Sequence, residues 1–408
     1  MARWSSHERR SGVEWAVRTM LAVAALAIGY VGAAQALGHA FKDDAAQAQM
    51  LSPWNGRITA LLARQLSGAE ATATDRTRAD QLARRALRQD PTAVAAVSTL
   101  GLNTQLRGDG AGARRLFAYA EKLSRRDLPT QLWAIEDAVG RGDVAGALRH
   151  YDIALRTSRN APALLYPILG SAIVDPSVRG ALLRTLAARP EWGESFVNYV
   201  AGNGADMQAT AALFVGLRRA RIPVAAQASA VVINGLILGN HWNEAWAYYA
   251  SIRPGADRRR SRDPRFQAAI VTPSPFDWAP ADDPPITAAI QRGKDGGTFV
   301  FAAPSSVGGS LLVQAQVLPP GEYHLVGRSS GLDQPEASRP YWALTCRDGR
   351  ELGRLALPNS AQASGRFSGR LRVPAGCPVQ ILALIARPSD SVSGVSGQID
   401  AVQIAQLR

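Results

Sequence analysis

Three hydrophobic patterns follow one another along the 408-residue chain. Residues 19–41 carry no formal charge and are mostly apolar. A membrane-crossing helix needs about 20 such residues. From residue 45 to 253, apolar residues recur at three- and four-residue intervals, which predicts helices. After residue 285 the period falls to two, in segments such as TFVFAA, YWALTC, GRFSGRLRVP and VQILALIAR, broken by Gly, Pro, Ser and Asn. That alternation predicts eight or nine short strands and an antiparallel sandwich.

A single spacing repeats within the helical region. Ala79, Ala113 and Ala147 lie 34 residues apart, as do Ala83, Phe117 and Tyr151, and Ala86, Ala120 and Ala154. Each set places three residues on one helix face. Small alanines admit a neighbouring helix, and the aromatic fills the space between helix pairs. Val97, Leu100, Gly101 and Thr104 form the facing helix of the middle unit, with Gly101 at the crossing. Arg-Gly-Asp occurs twice in this register, at 107–109 and 141–143. A repeated tripeptide at a repeat boundary reads as a turn: Gly108 and Gly142 end one helix, and Asp109 and Asp143 cap the next.

Leu100, Gly101, Ala113, Phe117 and Ala120, with Ala79, Ala86 and Pro91 before them and Ala147, Tyr151 and Ala154 after, resemble the tetratricopeptide repeat family. The resemblance covers about residues 75–158. It departs from the pattern at Ala83, in the missing proline after Ala120, and beyond Asn160. It implies stacked helix pairs whose concave groove binds a partner protein. A degenerate unit recurs at Gly239-Asn240, Ala245, Tyr249 and Ile252, so the solenoid is expected over 45–253.

Residues 254–285 are rich in arginine and proline and read as a linker. The sandwich then occupies 286–408. Its QAQVLPPGEY and IDAVQI segments resemble jelly-roll sandwiches of the carbohydrate-binding-module type. Sugar binding would need exposed aromatic faces, and Trp278, Tyr341 and Trp342 are the candidates; the competing expectation is that they are buried. Cys346 and Cys377 both fall in this region, and in an oxidising compartment they are expected to pair.

Composition changes this picture little. The net charge is +13, which by itself suggests a polyanion. Yet the only lysines are Lys42, Lys122 and Lys294, an arginine skew that codon usage in a GC-rich genome produces. No zinc-finger spacing or aromatic-interleaved basic stretch accompanies the charge, so no nucleic-acid partner is expected. The basic residues 1–18 precede the apolar run, and Lys-Asp-Asp follows it. By the positive-inside rule the N-terminus stays cytoplasmic and the body crosses. The rival is a signal peptide cut near Ala36, which leaves a soluble periplasmic protein.

Catalytic patterns are absent from the sequence. The five histidines lack metal-ligand spacing, and the cysteines form no C-x-x-C pair. GRSSG at 327–331 matches a nucleophile-elbow pattern, but no helix follows it. No cofactor or metal is expected. The expectation is a non-catalytic scaffold in the bacterial inner membrane. Its repeat groove would hold a protein partner, and its sandwich would bind a polysaccharide in envelope or extracellular polysaccharide assembly or export. The alternative is an assembly factor whose sandwich is only a structural cap.

Overall fold

The computed structural model describes residues 12–41, 44–293, 296–360, 364–389 and 392–407. The predicted basic N-terminus lies outside the described residues as far as residue 11. Among the described residues, fourteen α-helices occupy the N-terminal region: α1 Gly12–Ala40, α2 Ala45–Leu51, α3 Gly56–Leu66, α4 Ala73–Gln89, α5 Val94–Leu106, α6 Gly110–Leu123 and α7 Leu128–Gly140. They continue as α8 Val144–Thr157, α9 Ala161–Ala172, α10 Pro176–Ala187, α11 Gly193–Asn203, α12 Met207–Arg219, α13 Ala226–Leu238 and α14 Trp242–Ile252.

Helix α1 has 29 residues and a mean hydropathy of 1.8 over Val13–Gly38. Met20, Leu26, Ile28 and Tyr30 are all more than 60% exposed. So much contiguous apolar surface marks a segment that contacts lipid or another protein. The helix is long and apolar enough to cross a membrane, and a signal sequence meets the same criteria.

The chain divides into two compact units at Leu165/Tyr166, inside α9. In the first unit α3 packs on α4, α5 on α6 and α7 on α8, and α3 also packs on α5. The turns have the predicted chemistry. Gly108 and Gly142 have φ of +87° and +70°. The Asp109 carboxylate accepts from the Gly112 amide at 2.7 Å, and that of Asp143 from Gly146 at 2.8 Å. A Cβ on Gly112 would lie 2.2 Å from its capping carboxylate, so glycine at the third helical position belongs to the motif. Ala83 fits despite its departure from the pattern: it is fully buried with Ala60, Ala63, Ala86, Ala93, Ala96 and Leu100.

In the second unit α10 packs on α12, α11 on α13 and α12 on α14. Consecutive α13 and α14, and α12 and α13, pack as well, so α12 and α13 each meet both a sequence neighbour and the next helix but one, as in a stack of repeats. The final turn uses Asn240 (φ +62°) as its left-handed residue, not Gly239. Ala245 and Tyr249 are fully buried, as the repeat spacing predicts.

Ten strands follow among the described residues: β1 Ala279–Pro280, β2 Thr287–Gly293, β3 Gly296–Ala303, β4 Gly309–Gln316, β5 Gly321–Ser330, β6 Tyr341–Cys346, β7 Glu351–Ala356, β8 Arg366–Val373, β9 Gln380–Ala386 and β10 Val395–Gln406. They form two antiparallel sheets, in the orders β1-β4-β9-β6-β7 and β2-β3-β10-β5-β8. Phe299, Phe301, Leu325, Leu344, Leu382 and Ile399 meet in the core between them.

Residues 254–285 do not run free through solvent as the linker reading expected. Phe266 and Trp278 enter the sandwich core. Phe276 packs against Trp246 and Tyr249 of α14, with ring centroids 5.2 and 5.1 Å away. The buried Asp277 carboxylate accepts from Tyr249 Oη at 2.8 Å and pairs with Arg262 at 2.5 Å and Arg253 at 3.5 Å. It also accepts from the Ser274 amide and hydroxyl. Burial and the adjacent carboxylate push the Tyr249 phenol well above its ordinary pKa, so it stays a donor. Arg347, next to Cys346, stacks on Trp242 at 4.7 Å and donates to Ile237 O and Asn240 Oδ1. The sandwich is thereby fastened onto the last helix pair.

Candidate partner-binding groove

The residues expected to pack the repeats are buried: Ala113, Phe117, Ala120, Ala147, Tyr151, Ala154 and Leu100. Gly101 faces the Phe117 ring so closely that a Cβ would lie 2.9 Å from Cε2. Phe117 then stacks on Trp133 of α7, with centroids 4.4 Å apart and an interplanar angle of 14°.

Trp133 opens the feature that sequence reasoning missed. A cleft of about 350 Å³ lies along α3, α5 and α7. Thr99, Leu102, Pro129, Leu132 and Trp133 supply its walls, Phe117 its floor, and Arg64 and Glu136 its charges. Its size is in the range of sites that enclose a ligand or an anchoring side chain. Leu102, Leu106 and Val139 are left 38%, 56% and 62% exposed on α5 and α7. A signal for it exists in the sequence: Arg64 and Ser98 stand 34 apart, and the same offset joins Thr99 to Trp133 and Leu102 to Glu136. The repeat spacing picks out the residues that pack pairs together before it picks out those that face the groove.

A polar ladder fixes this surface. Arg64 donates to Ser98 at 3.1 Å and to the buried Asp127 carboxylate at 2.5 Å. Asp127 also caps α7 through the Thr130 amide. Ser67 bonds Asn103, whose amide donates to Asp80 at 2.7 Å, and Arg107 pairs with Asp80 at 2.8 Å. Paired this way, the buried groups incur no desolvation penalty for unmet hydrogen bonds, and the three helices hold one spacing. His150 is buried, and its Nδ1 bonds Gln131 Oε1 at 2.8 Å. Burial holds its pKa below the ordinary value.

The sandwich residues divide differently. Cys346 and Cys377 form a disulfide. Trp278 and Trp342 are 5% and 1% exposed. Their rings meet at 5.8 Å, and Trp278 Nε1 donates to Asp263 O. Neither presents a face to a sugar, so their expected glycan role is overturned: alternation turns Trp342 into the core, and Trp278 pins the preceding segment there. Tyr341 is half-buried, with the guanidinium groups of Arg354 and Arg387 against its ring at 5.1 and 4.6 Å. In the GRSSG stretch Ser329 is buried, and its hydroxyl donates to Gly365 O. A strand end and loop hold it, without the following α-helix that a nucleophile elbow has. Among the described residues, no three His, Cys, Asp or Glu side chains gather as a metal site.

No family model and no curated protein matches the chain. Among solved structures, it is similar to the enzymatically active domain of tailspike protein 4 from bacteriophage CBA120, with 12% identity, 32% of this chain and 19% of that one covered, and a TM-score of 0.22. A glycosylation-associated protein complex (Gap123) from Streptococcus agalactiae matches at 12% identity, covering 29% and 39%, with a TM-score of 0.20. The C-terminal CBM6 of LamC, a marine laminarinase from Zobellia galactanivorans, matches at 14% identity, covering 31% and 94%, with a TM-score of 0.19. The chain thus spans less than two fifths of the first two of these. Likenesses this slight assign neither activity nor ligand.

Proposed function

We propose that this chain is a non-catalytic, membrane-anchored scaffold whose helical repeats hold a segment of a partner protein. The observation that carries the reading is the cleft around Trp133: apolar walls left open to solvent, on helices held rigid by a buried polar ladder. Its fitting occupant is a short peptide segment with a large apolar anchor that covers Leu102 and Trp133. The helix pairs around it are proposed to be tetratricopeptide-like. In this reading α1 is an uncleaved inner-membrane anchor, its N-terminus is cytoplasmic, and the body is periplasmic. The Cys346–Cys377 disulfide supports an oxidising compartment.

The sandwich acts first as a cap. Arg347 on Trp242 and the Asp277 network on Tyr249 support that role. The machine served is proposed to be one of envelope or extracellular polysaccharide assembly or export. The buried tryptophans lend no support to glycan binding; an outer face of the sandwich does, as argued below. Leu102→Asp places a charge in the cleft, and Arg115→Asp places one on exposed α6. Co-purification of the partner with the tagged full chain should fall at least tenfold for Leu102→Asp and stay unchanged for Arg115→Asp. Equal recovery in both would overturn the groove.

A further inference from the structure

The arginine-rich segment after α14 joins the sandwich as a further strand-like rung. The Ser261 amide donates to Ile404 O, the Gln406 amide donates to Arg259 O, and Arg260 bridges Ala405. That register places Arg260 in one cross-strand row with Ala405 of β10, His324 of β5 and Arg370 of β8. The next outward row on one side pairs Glu322 with Arg372, and two rows away on the other side, past Val326 and Ser368, Arg328 pairs with Arg366. Arg366, Arg370 and Arg372 alternate with the buried Phe367, Leu371 and Val373, so all three point away from the core.

This outer face is strongly basic. Its carboxylates, Asp257, Glu322 and Asp400, pair with Arg260, Arg372 and Arg328 at 3.4, 3.5 and 3.7 Å. These long, exposed pairs hold their partners weakly. Arg366 and Arg370 form no ion pair among the described residues, and both are exposed. Ala401, Gln403 and Ala405 floor the space between the Arg260 rung and β8 with short or polar side chains. At about 4.8 Å per strand, Arg260 and Arg370 stand ~14 Å apart across that floor.

We infer that this face binds a carboxylated polysaccharide, its chain lying across the strands and its acid groups paired with Arg260, Arg366 and Arg370. Guanidinium forks match carboxylates in bidentate geometry. Insertion into a bilayer needs an apolar wedge, and among the described residues of this face the large apolar side chains are Val326 and Leu407, 37% and 40% exposed and separated by the His324 row. Single-stranded nucleic acid needs a series of stacking aromatics, and the outward ring in these rows is that of His324, tied to Ser368 Oγ at 2.7 Å. The disulfide in the same sandwich fits an oxidising, extracytoplasmic compartment, where a surface polysaccharide can reach this face. This last step rests on the periplasmic placement proposed above.

The test uses the full chain in detergent and three probes: polygalacturonate, neutral dextran, and vesicles with about 30% phosphatidylglycerol, a charge density at which basic surfaces bind. Polygalacturonate should bind, dextran should not, and vesicle binding should be weaker. The double variant Arg366→Gln/Arg370→Gln should weaken polygalacturonate binding at least tenfold with its melting temperature unchanged. Equal binding by the variant, or by dextran, would overturn the site. Preference for vesicles would assign the face to a membrane surface instead. Partner recovery through the Leu102 groove is measured in the same variant; its persistence shows that the two sites fail independently.

Discussion

Gly101 shows how one residue sets the geometry of a groove it does not line. In an open helix position, glycine to alanine stabilises by up to about 1 kcal/mol. Gly180 of α10 is such a position, where a Cβ would meet nothing within 4 Å. At Gly101 the added carbon meets the Phe117 ring, which Trp133 pins from its other side. Overpacking of that kind costs about 1–3 kcal/mol. Gly101→Ala should therefore lower amide-exchange protection in α5 and α6, whereas Gly180→Ala should raise it in α10. A gain at both would contradict close packing at the crossing. This residue was legible in the sequence because a repeat exposes its own constraints: small at the crossing, aromatic between pairs, Gly-Asp at the turn. Trp133 was not legible in the same way, since its counterpart 34 residues earlier is Thr99, which repeats neither its size nor its chemistry. One candidate sugar contact, Trp342, is buried for a related reason. Alternation gives the period of a strand but not which phase faces the core, and Trp342 fell on the buried phase.

At the scale of elements, the segment from 254 to 285 departs most from its sequence reading. Proline density excluded a helix correctly, yet extended chain rich in Arg and Pro can be solvated or packed. The outcome depended on three apolar rings and one carboxylate finding partners distant in sequence. Asp277 is the centre of that arrangement, its side chain 0% exposed and bonded to Arg262, Tyr249 and Ser274. Its removal leaves Arg262 and Arg253 without their counter-charge. Breaking a buried pair from one side costs about 3–5 kcal/mol; losing one hydrogen bond costs about 1 kcal/mol. Asp277→Ala should therefore destabilise the second unit several times more than Tyr249→Phe, measured by denaturant unfolding of the full chain. A loss for Asp277→Ala no larger than that of a single hydrogen bond would show that the network does not hold the segment. The disulfide acts on the same unit. It closes 31 residues between the β6 end and the approach to β9, which by loop closure contributes ~3–4 kcal/mol.

For the whole molecule, the order of its regions was legible because each has its own hydrophobic period: an unbroken apolar run, a helical repeat, then alternation. What each region holds was less so, because ligands are met by surfaces, and surface residues carry little periodic signal. The central claim is that the repeat groove, and not another face, receives a partner protein. The most direct measurement is site-specific photo-crosslinking in cells, with the photoreactive residue placed singly at Leu102, Leu132 and Glu136 in the groove and at Arg115 and Tyr119 on α6. One shared adduct is expected at the three groove positions, none at the two α6 positions, and loss of the adduct when Leu106→Asp is added. Adducts of equal yield at the α6 positions, or none at any groove position in cells that carry the whole pathway, would contradict it.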